Sequence, residues 1–252
     1  MCFELDSAPP IAPLSGAAVS HDDLVLEASD GNRFAAFLAA PEEHARIGVV
    51  ILPDVRGLYR FYEELALRFA ERGYAALAID YFGRTAGVEK RDDAFDYMPH
   101  VEQTTQPGVQ ADTAAAIAHL RGAGCDAIFT VGFCFGGRNS WLAAAGGHGL
   151  AGAIGFYGRP GHGPDGSPGP TARATEFDAP ILALMGGNDP AISVADVDAF
   201  DAALQAADVE HEVVIYPGAP HSFFDRKYQE FATDSEDAWN RVLAFLDRHA
   251  SG

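Results

Sequence analysis

Short apolar runs that alternate with helical stretches constrain this chain more than any other feature. The runs are Ile47–Leu52, residues 74–79, Ala127–Phe133, residues 150–157, residues 180–185 and His211–Tyr216. The first reads Ile-Gly-Val-Val-Ile-Leu. A continuous, β-branched run of that length fits a strand buried on both faces of a parallel sheet. Helical patterns lie between the runs. Residues 60–72 set Phe61, Leu65 and Phe69 on one face, pair Glu64 with Arg68 at i,i+4, and stop at Gly73. Residues 109–120 are Ala-rich and close on Gly122 and Gly124, and residues 138–145 form the next helix. Ser193 with Asp196 caps a helix whose apolar face is Val197, Phe200 and Leu204. Thr233 with Glu236 is expected to cap the last one, with Trp239, Val242, Leu243 and Leu246 inward. Such alternation predicts an α/β fold: a mostly parallel central sheet with helices on both faces.

Ahead of this pattern, residues 24–27 and 33–38 flank Ser29-Asp30-Gly31-Asn32, a hairpin signal. Residues 1–20 read as an irregular arm. No repeat or second core is visible, and 252 residues at 48% hydrophobic content suit one domain, 1–252. Residues 85–106 are polar, with a short helix expected near 92–97. Residues 158–176 are a long Gly/Pro loop. Loops of that length are usually functional or disordered, and either segment would be placed to act as a lid.

In sheets of this kind, sites form at the carboxyl ends of the strands. There the chain places Gly132-Phe133-Cys134-Phe135-Gly136-Gly137, a G-x-(nucleophile)-x-G turn from strand to helix with cysteine as the nucleophile. A thiol with a free pKa of roughly 8.5 is mostly protonated at pH 7 and needs a base. Asp189 in Gly-Gly-Asn-Asp-Pro and His221 follow in the chain order nucleophile, acid, histidine of α/β-hydrolases, each just past a strand. His221 would take the thiol proton and Asp189 would hold the imidazole. The helix opening at Gly136 adds positive dipole near the sulfur. An oxyanion hole needs two N–H donors, expected at Phe135 and at Val55 in the loop after the third strand. Bland readings stand beside these. A buried cysteine is commonly structural, Gly-Gly-Asn-Asp-Pro makes a good turn in any protein, and a lone histidine is often simply solvated. Cys125 reads as structural, Cys2 as terminal, and His148 and His162 as solvated loop residues.

Charge narrows the partners. A formal net charge of −19 argues against nucleic acid and anionic membrane. Three sparse cysteines make no disulfide framework or zinc pair, and the nine histidines lack metal-ligand spacing. No metal or organic cofactor is implied. No signal peptide or apolar run of ~20 residues is evident, so a cytoplasmic location is expected, as monomer or small homo-oligomer. Asp54, Arg56, Arg84 and Arg226 are charges on strand-end loops. Each is either a solvated or salt-bridged loop charge or part of an anion clamp, since arginine grips carboxylates bidentately.

The Cys134 turn, Met185-Gly186-Gly187-Asn188-Asp189, His221-Ser222-Phe223 and Tyr81-Phe82-Gly83-Arg84 together resemble the dienelactone hydrolases (carboxymethylenebutenolidases) over residues 22–248. The resemblance implies an α/β-hydrolase fold, a triad of Cys134, His221 and Asp189, and hydrolysis of an enol-lactone such as dienelactone to maleylacetate in aromatic degradation. It also implies a glutamate that restrains the resting cysteine and two arginines that bind the substrate carboxylate. The glutamate position holds Asp54, one methylene shorter, and the first arginine is Arg84. The second arginine position holds Asp225, with Arg226 next to it. The reading is a cysteine-dependent hydrolase of a small lactone or carboxylic ester. A small-ester or thioester hydrolase without dienelactone activity is a second reading. A third is a hydrolase-fold protein that binds a ligand or senses oxidant through Cys134 without turnover.

Overall fold

The computed structural model describes residues 8–92, 94–163, 165–225 and 228–250. Its strands are β1 (Val19–Glu27), β2 (Arg33–Pro41), β3 (Ile47–Leu52), β4 (Ala75–Ile79), β5 (Ala127–Phe133), β6 (Gly152–Phe156), β7 (Ile181–Gly186) and β8 (His211–Tyr216). They form one eight-stranded sheet in the order β1-β2-β4-β3-β5-β6-β7-β8. The β1–β2 and β2–β4 pairs are antiparallel; all others are parallel. The helices are α1 (Arg60–Ala70), α2 (Gly83–Ala86), α3 (Met98–Val101), α4 (Gln106–Gly122), α5 (Phe135–Ala143), α6 (Pro170–Arg173), α7 (Val194–Ala206) and α8 (Ala232–His249).

Two apolar layers sandwich the sheet. On one face α1 and α8 bring Phe61, Leu65, Phe69, Trp239, Val242 and Leu246 against Val49, Ile51, Phe129, Val131 and Ile154. On the other, α4, α5 and α7 bring Ile117, Leu120, Trp141, Phe200 and Leu204 against Val50, Leu77, Ile128 and Ala183. Central strands therefore carry mostly apolar side chains and read as near-continuous runs; the buried Thr130 in β5 is met by Ser140. Each such side chain, fully buried, contributes roughly 1.5–3 kcal/mol relative to exposure. No helix among the described residues is long and apolar enough to cross a membrane.

Several boundaries differ from the sequence reading. β1 begins at Val19 because its polar first half is held by backbone pairing out to Val19↔Pro41, not by side-chain burial. α4 begins at Gln106, where the Thr105 side chain accepts the Gly108 N–H. α5 starts directly at Phe135. The helix expected near 92–97 is absent from the described residues there; the short helices fall at α2 and α3 instead. The segment 158–176 ends in α6 and a 3₁₀ turn at Ala174–Glu176 rather than continuing as loop. The Ser193–Asp196 capping box forms as expected. The Thr233–Glu236 box does not: α8 starts at Ala232, so Thr233 lies inside the first turn and Phe231 occupies the cap.

Candidate active site

β5 is central in the sheet, and its carboxyl end turns abruptly into α5. Cys134 is the turning residue, with φ 56° and ψ −110°. A non-glycine side chain at positive φ is held there only when its surroundings fix it. The glycines make room for this. A Cβ at Gly132 would overlap the Gly136 carbonyl, and one at Gly136 would overlap the Leu52 carbonyl. The Cys134 N–H donates to the Phe156 carbonyl at 3.0 Å, and its own carbonyl accepts the Arg138 N–H at 3.2 Å. The thiol side chain stays half-buried. The Phe135 amide opens the helix and so has no intrahelical acceptor.

His221 lies on the loop after β8, three strands from β5 in the sheet. Its Nδ1 lies 2.6 Å from Asp189 Oδ2. The Asp189 side chain is 1% exposed and the His221 side chain 24%. Asp189 Oδ1 accepts the Ala191 N–H at 2.8 Å, which fixes the carboxylate. The Asn188 N–H donates to the Ala219 carbonyl at 2.9 Å, so the β7 and β8 loops are tied together. Tyr157 links the two halves of the site. It follows Phe156, whose carbonyl holds the Cys134 amide, and its ring centroid is 4.9 Å from that of His221. Its phenol donates to Asp225 Oδ2 at 2.8 Å.

The loop after β3 lies on the other side of Cys134. β3 pairs with β5 so that Leu52 is opposite Gly132. In the next residues, the Asp54 N–H donates to the Tyr62 hydroxyl (3.0 Å), the Arg56 N–H to Asp54 Oδ1 (2.8 Å), the Gly57 N–H to the Asp54 carbonyl (3.1 Å) and the Leu58 N–H to Asp80 Oδ1 (3.0 Å). Among the described residues, the Val55 N–H is the one amide of positions 54–58 left without an acceptor. Gly57 is required at φ 81°, since a Cβ there would overlap Asp80 Oδ1.

The charged loop residues separate. Asp54 is fully buried; its Oδ1 takes the Arg56 amide and lies 3.9 Å from Arg56 Nε. Arg84, read as either a salt-bridged loop charge or part of a carboxylate clamp, pairs with Asp112 (2.5 Å) and Asp30 (2.7 Å), which staple α2 to α4 and to the β1–β2 turn. Burial pushes the Asp112 carboxyl up, while Arg84 and Asn32 pull against it. Arg226 lies outside the described residues, as does Cys2. Cys125 is buried, in keeping with a structural role. Among the described residues, no three His, Cys, Asp or Glu side chains cluster as metal ligands would. Sequence reasoning did not find Tyr62, Tyr157 or Asp80 as parts of this region, and it quoted Tyr81 within a motif without giving its hydroxyl a role.

A parallel sheet extended by an antiparallel hairpin, a strained strand-to-helix turn after its central strand, and a carboxylate–histidine pair from the next loops define an α/β-hydrolase. Within that class, the family model of the dienelactone hydrolases matches residues 34–250, and the chain belongs to that family. It is an enzyme that acts on ester bonds, as the family's carboxymethylenebutenolidases are. A "Putative carboxymethylenebutenolidase" of Escherichia coli strain K12 is 30% identical over 96% of this chain and 94% of its own length. A "Probable 2-oxo-3-(5-oxofuran-2-ylidene)propanoate lactonase" of Bradyrhizobium sp. is 30% identical over 91% of this chain and 95% of its own. A crystal structure titled "Putative Dienelactone Hydrolase", from Klebsiella pneumoniae, superposes with a TM-score of 0.80 at 26% identity, covering 91% of this chain and 99% of its own.

Proposed function

We propose that this chain hydrolyses small lactones or carboxylic esters through Cys134, with His221 as the base and Asp189 as its orienting carboxylate. The observation that carries the proposal is the pairing of a strained Cys134 turn with a histidine whose Nδ1 is held by a buried carboxylate. That bond engages Nδ1, so Nε2 is the nitrogen that would exchange a proton with the thiol. In the first half-reaction the thiolate attacks the acyl carbon, the carbonyl oxygen becomes an oxyanion facing the Phe135 and Val55 amides, and His221 passes the proton to the departing alkoxide. In the second, His221 takes a proton from water. The resulting hydroxide attacks the thioester, and the acid leaves as the thiol is restored.

Two relatives bear lactone-hydrolase names, which supports an enol-lactone such as dienelactone as one substrate. Arg84 favours a second reading, a small neutral ester, because its charge is already met by Asp112 and Asp30. Cys134→Ala and His221→Ala should each lose about a thousandfold or more in kcat on a panel of dienelactone, simple lactones and p-nitrophenyl esters. Full activity in either variant refutes the proposal. A high kcat/KM for dienelactone against a low one for p-nitrophenyl acetate selects the lactone reading; the reverse order selects the neutral ester.

A further inference from the structure

We propose that Tyr62 and Tyr81 are positioning residues for the oxyanion hole: together they hold the Pro53–Asp54 peptide group and thereby aim the Val55 N–H. The proposal rests on the hydrolase reading above. Tyr81 Oη donates to the Pro53 carbonyl at 2.8 Å, and the Asp54 N–H donates to Tyr62 Oη at 3.0 Å. These are the two ends of one peptide unit, which is planar, so two bonds from opposite sides fix its rotation. The next peptide unit carries the Asp54 carbonyl and the Val55 N–H. Its carbonyl accepts the Gly57 N–H, closing a four-residue turn. In a trans peptide the N–H points opposite to the carbonyl, so the Val55 N–H is turned out of that loop.

Satisfied neighbours make this orientation specific. Every other amide from Asp54 to Leu58 has an acceptor, and among the described residues the Val55 N–H alone of these is given none. Val55 is half-buried, so its N–H stays open to a ligand at the loop surface while its neighbours are satisfied inside the turn.

The same tyrosines touch both residues that flank the nucleophile. Tyr81 packs edge-on against Phe135, the other expected donor, with centroids 5.2 Å apart. Tyr62 lies 5.6 Å from Phe133, the residue before Cys134. Tyr62 is 0% and Tyr81 3% exposed, so packing alone would be met by phenylalanine; the hydroxyls serve the peptide. Burial, reinforced by the negative groups at Asp54, Asp80 and Cys134, pushes the Tyr81 phenol well above its ordinary 10. It therefore remains a donor across the working range.

The test compares two reactions of one thiol. Hydrolysis of p-nitrophenyl acetate passes through an oxyanion, whereas alkylation of Cys134 by iodoacetamide does not. Tyr81→Phe and Tyr62→Phe should each lower kcat about tenfold, and the double variant about a hundredfold, with KM changed less than about twofold. The alkylation rate should stay within about twofold of the parent. Two results overturn the proposal: hydrolysis in the double variant within twofold of the parent, or an alkylation rate that falls in step with kcat. Should the double variant fail to fold, the single variants decide by the same criteria. Cys134→Ala, run in parallel, reports separately on the hydrolase reading, since retained activity there fails that reading whatever the tyrosine variants do.

Discussion

Replacing Arg84 with methionine separates a structural arginine from a substrate clamp. Arg84 bonds Asp112, whose side chain is 0% exposed, and Asp30, whose side chain is 48% exposed. Without the guanidinium, Asp112 keeps the Asn32 amide at 3.0 Å but no cation. Breaking a buried ion pair on one side costs about 3–5 kcal/mol. The retained Asn32 bond and the 28% exposure of Arg84 put this case near the lower end, about 3 kcal/mol. In a domain of this size that corresponds to roughly 6–12 °C in Tm. The loss should depend on pH. Burial already raises the folded carboxyl above its ordinary 3.8, and losing Arg84 raises it further. The folded state then keeps a proton that the unfolded chain releases, so stability falls as pH rises from the unfolded value through the folded one. Calorimetry should therefore show a small deficit at low pH and the full deficit at pH 8. Arg84→Met with Asp112→Asn should recover most of it, because no buried charge remains. KM for neutral and carboxylate-bearing esters should be unchanged in all of these variants. A parental Tm at pH 8 with a tenfold higher KM confined to the anionic ester would refute the reasoning and return Arg84 to the substrate.

Two further outcomes follow from the same kind of reasoning. Tyr157→Phe removes the donor to Asp225, a bond between two fully buried side chains, and should cost about 1.5–3 kcal/mol, read as a lower denaturant midpoint at unchanged m-value; an unchanged midpoint would dismiss it. Burial holds the His148 imidazole below its ordinary 6.5, so on acidification the unfolded chain takes up a proton before the folded one and stability falls below that pH. His148→Gln should flatten this part of the Tm–pH curve, and a curve that overlays the parent's at every pH would contradict the assignment.

The central strands were legible because a strand covered on both faces must be almost wholly apolar, and Ile47–Leu52 and Ala127–Phe133, the latter broken only by Thr130, appear with the bounds their composition indicates. β1 was half-hidden for the opposite reason. An edge strand is specified by backbone bonds to β2, and Ser20-His21-Asp22-Asp23 carries no periodic signal for them. His148 shows the same limit. Its Gly-rich surroundings suggest solvent, yet the fold leaves it half-buried.

Within the site, legibility followed from whether a residue's partner is set by chain position or by the fold. Cys134, Asp189 and His221 each sit just past a strand, next to glycine or proline, so the turn itself marks them. The Asp189–His221 bond then needs only two neighbouring strand-end loops. Arg84 also sits past a strand, and by position it invited the same reading. Its partners lie 28 and 54 residues away, in a helix and a hairpin turn that no spacing connects to it. Asp112 is a single carboxylate in an Ala-rich helix, where hydropathy assigns it to a solvated face. Tyr62 was hidden in another way, because on the apolar face of a helix a phenol reads as one more aromatic core residue, and Tyr81, though part of a quoted motif, gave no sign of what its hydroxyl holds. A buried phenol nevertheless carries a hydrogen that needs an acceptor. Tyrosine rather than phenylalanine at a buried position, one helical turn past the loop that follows β3 and again just past the neighbouring strand β4, is therefore the available signal. It points to a backbone carbonyl or amide nearby, and here both hydroxyls meet the one peptide unit between Pro53 and Asp54.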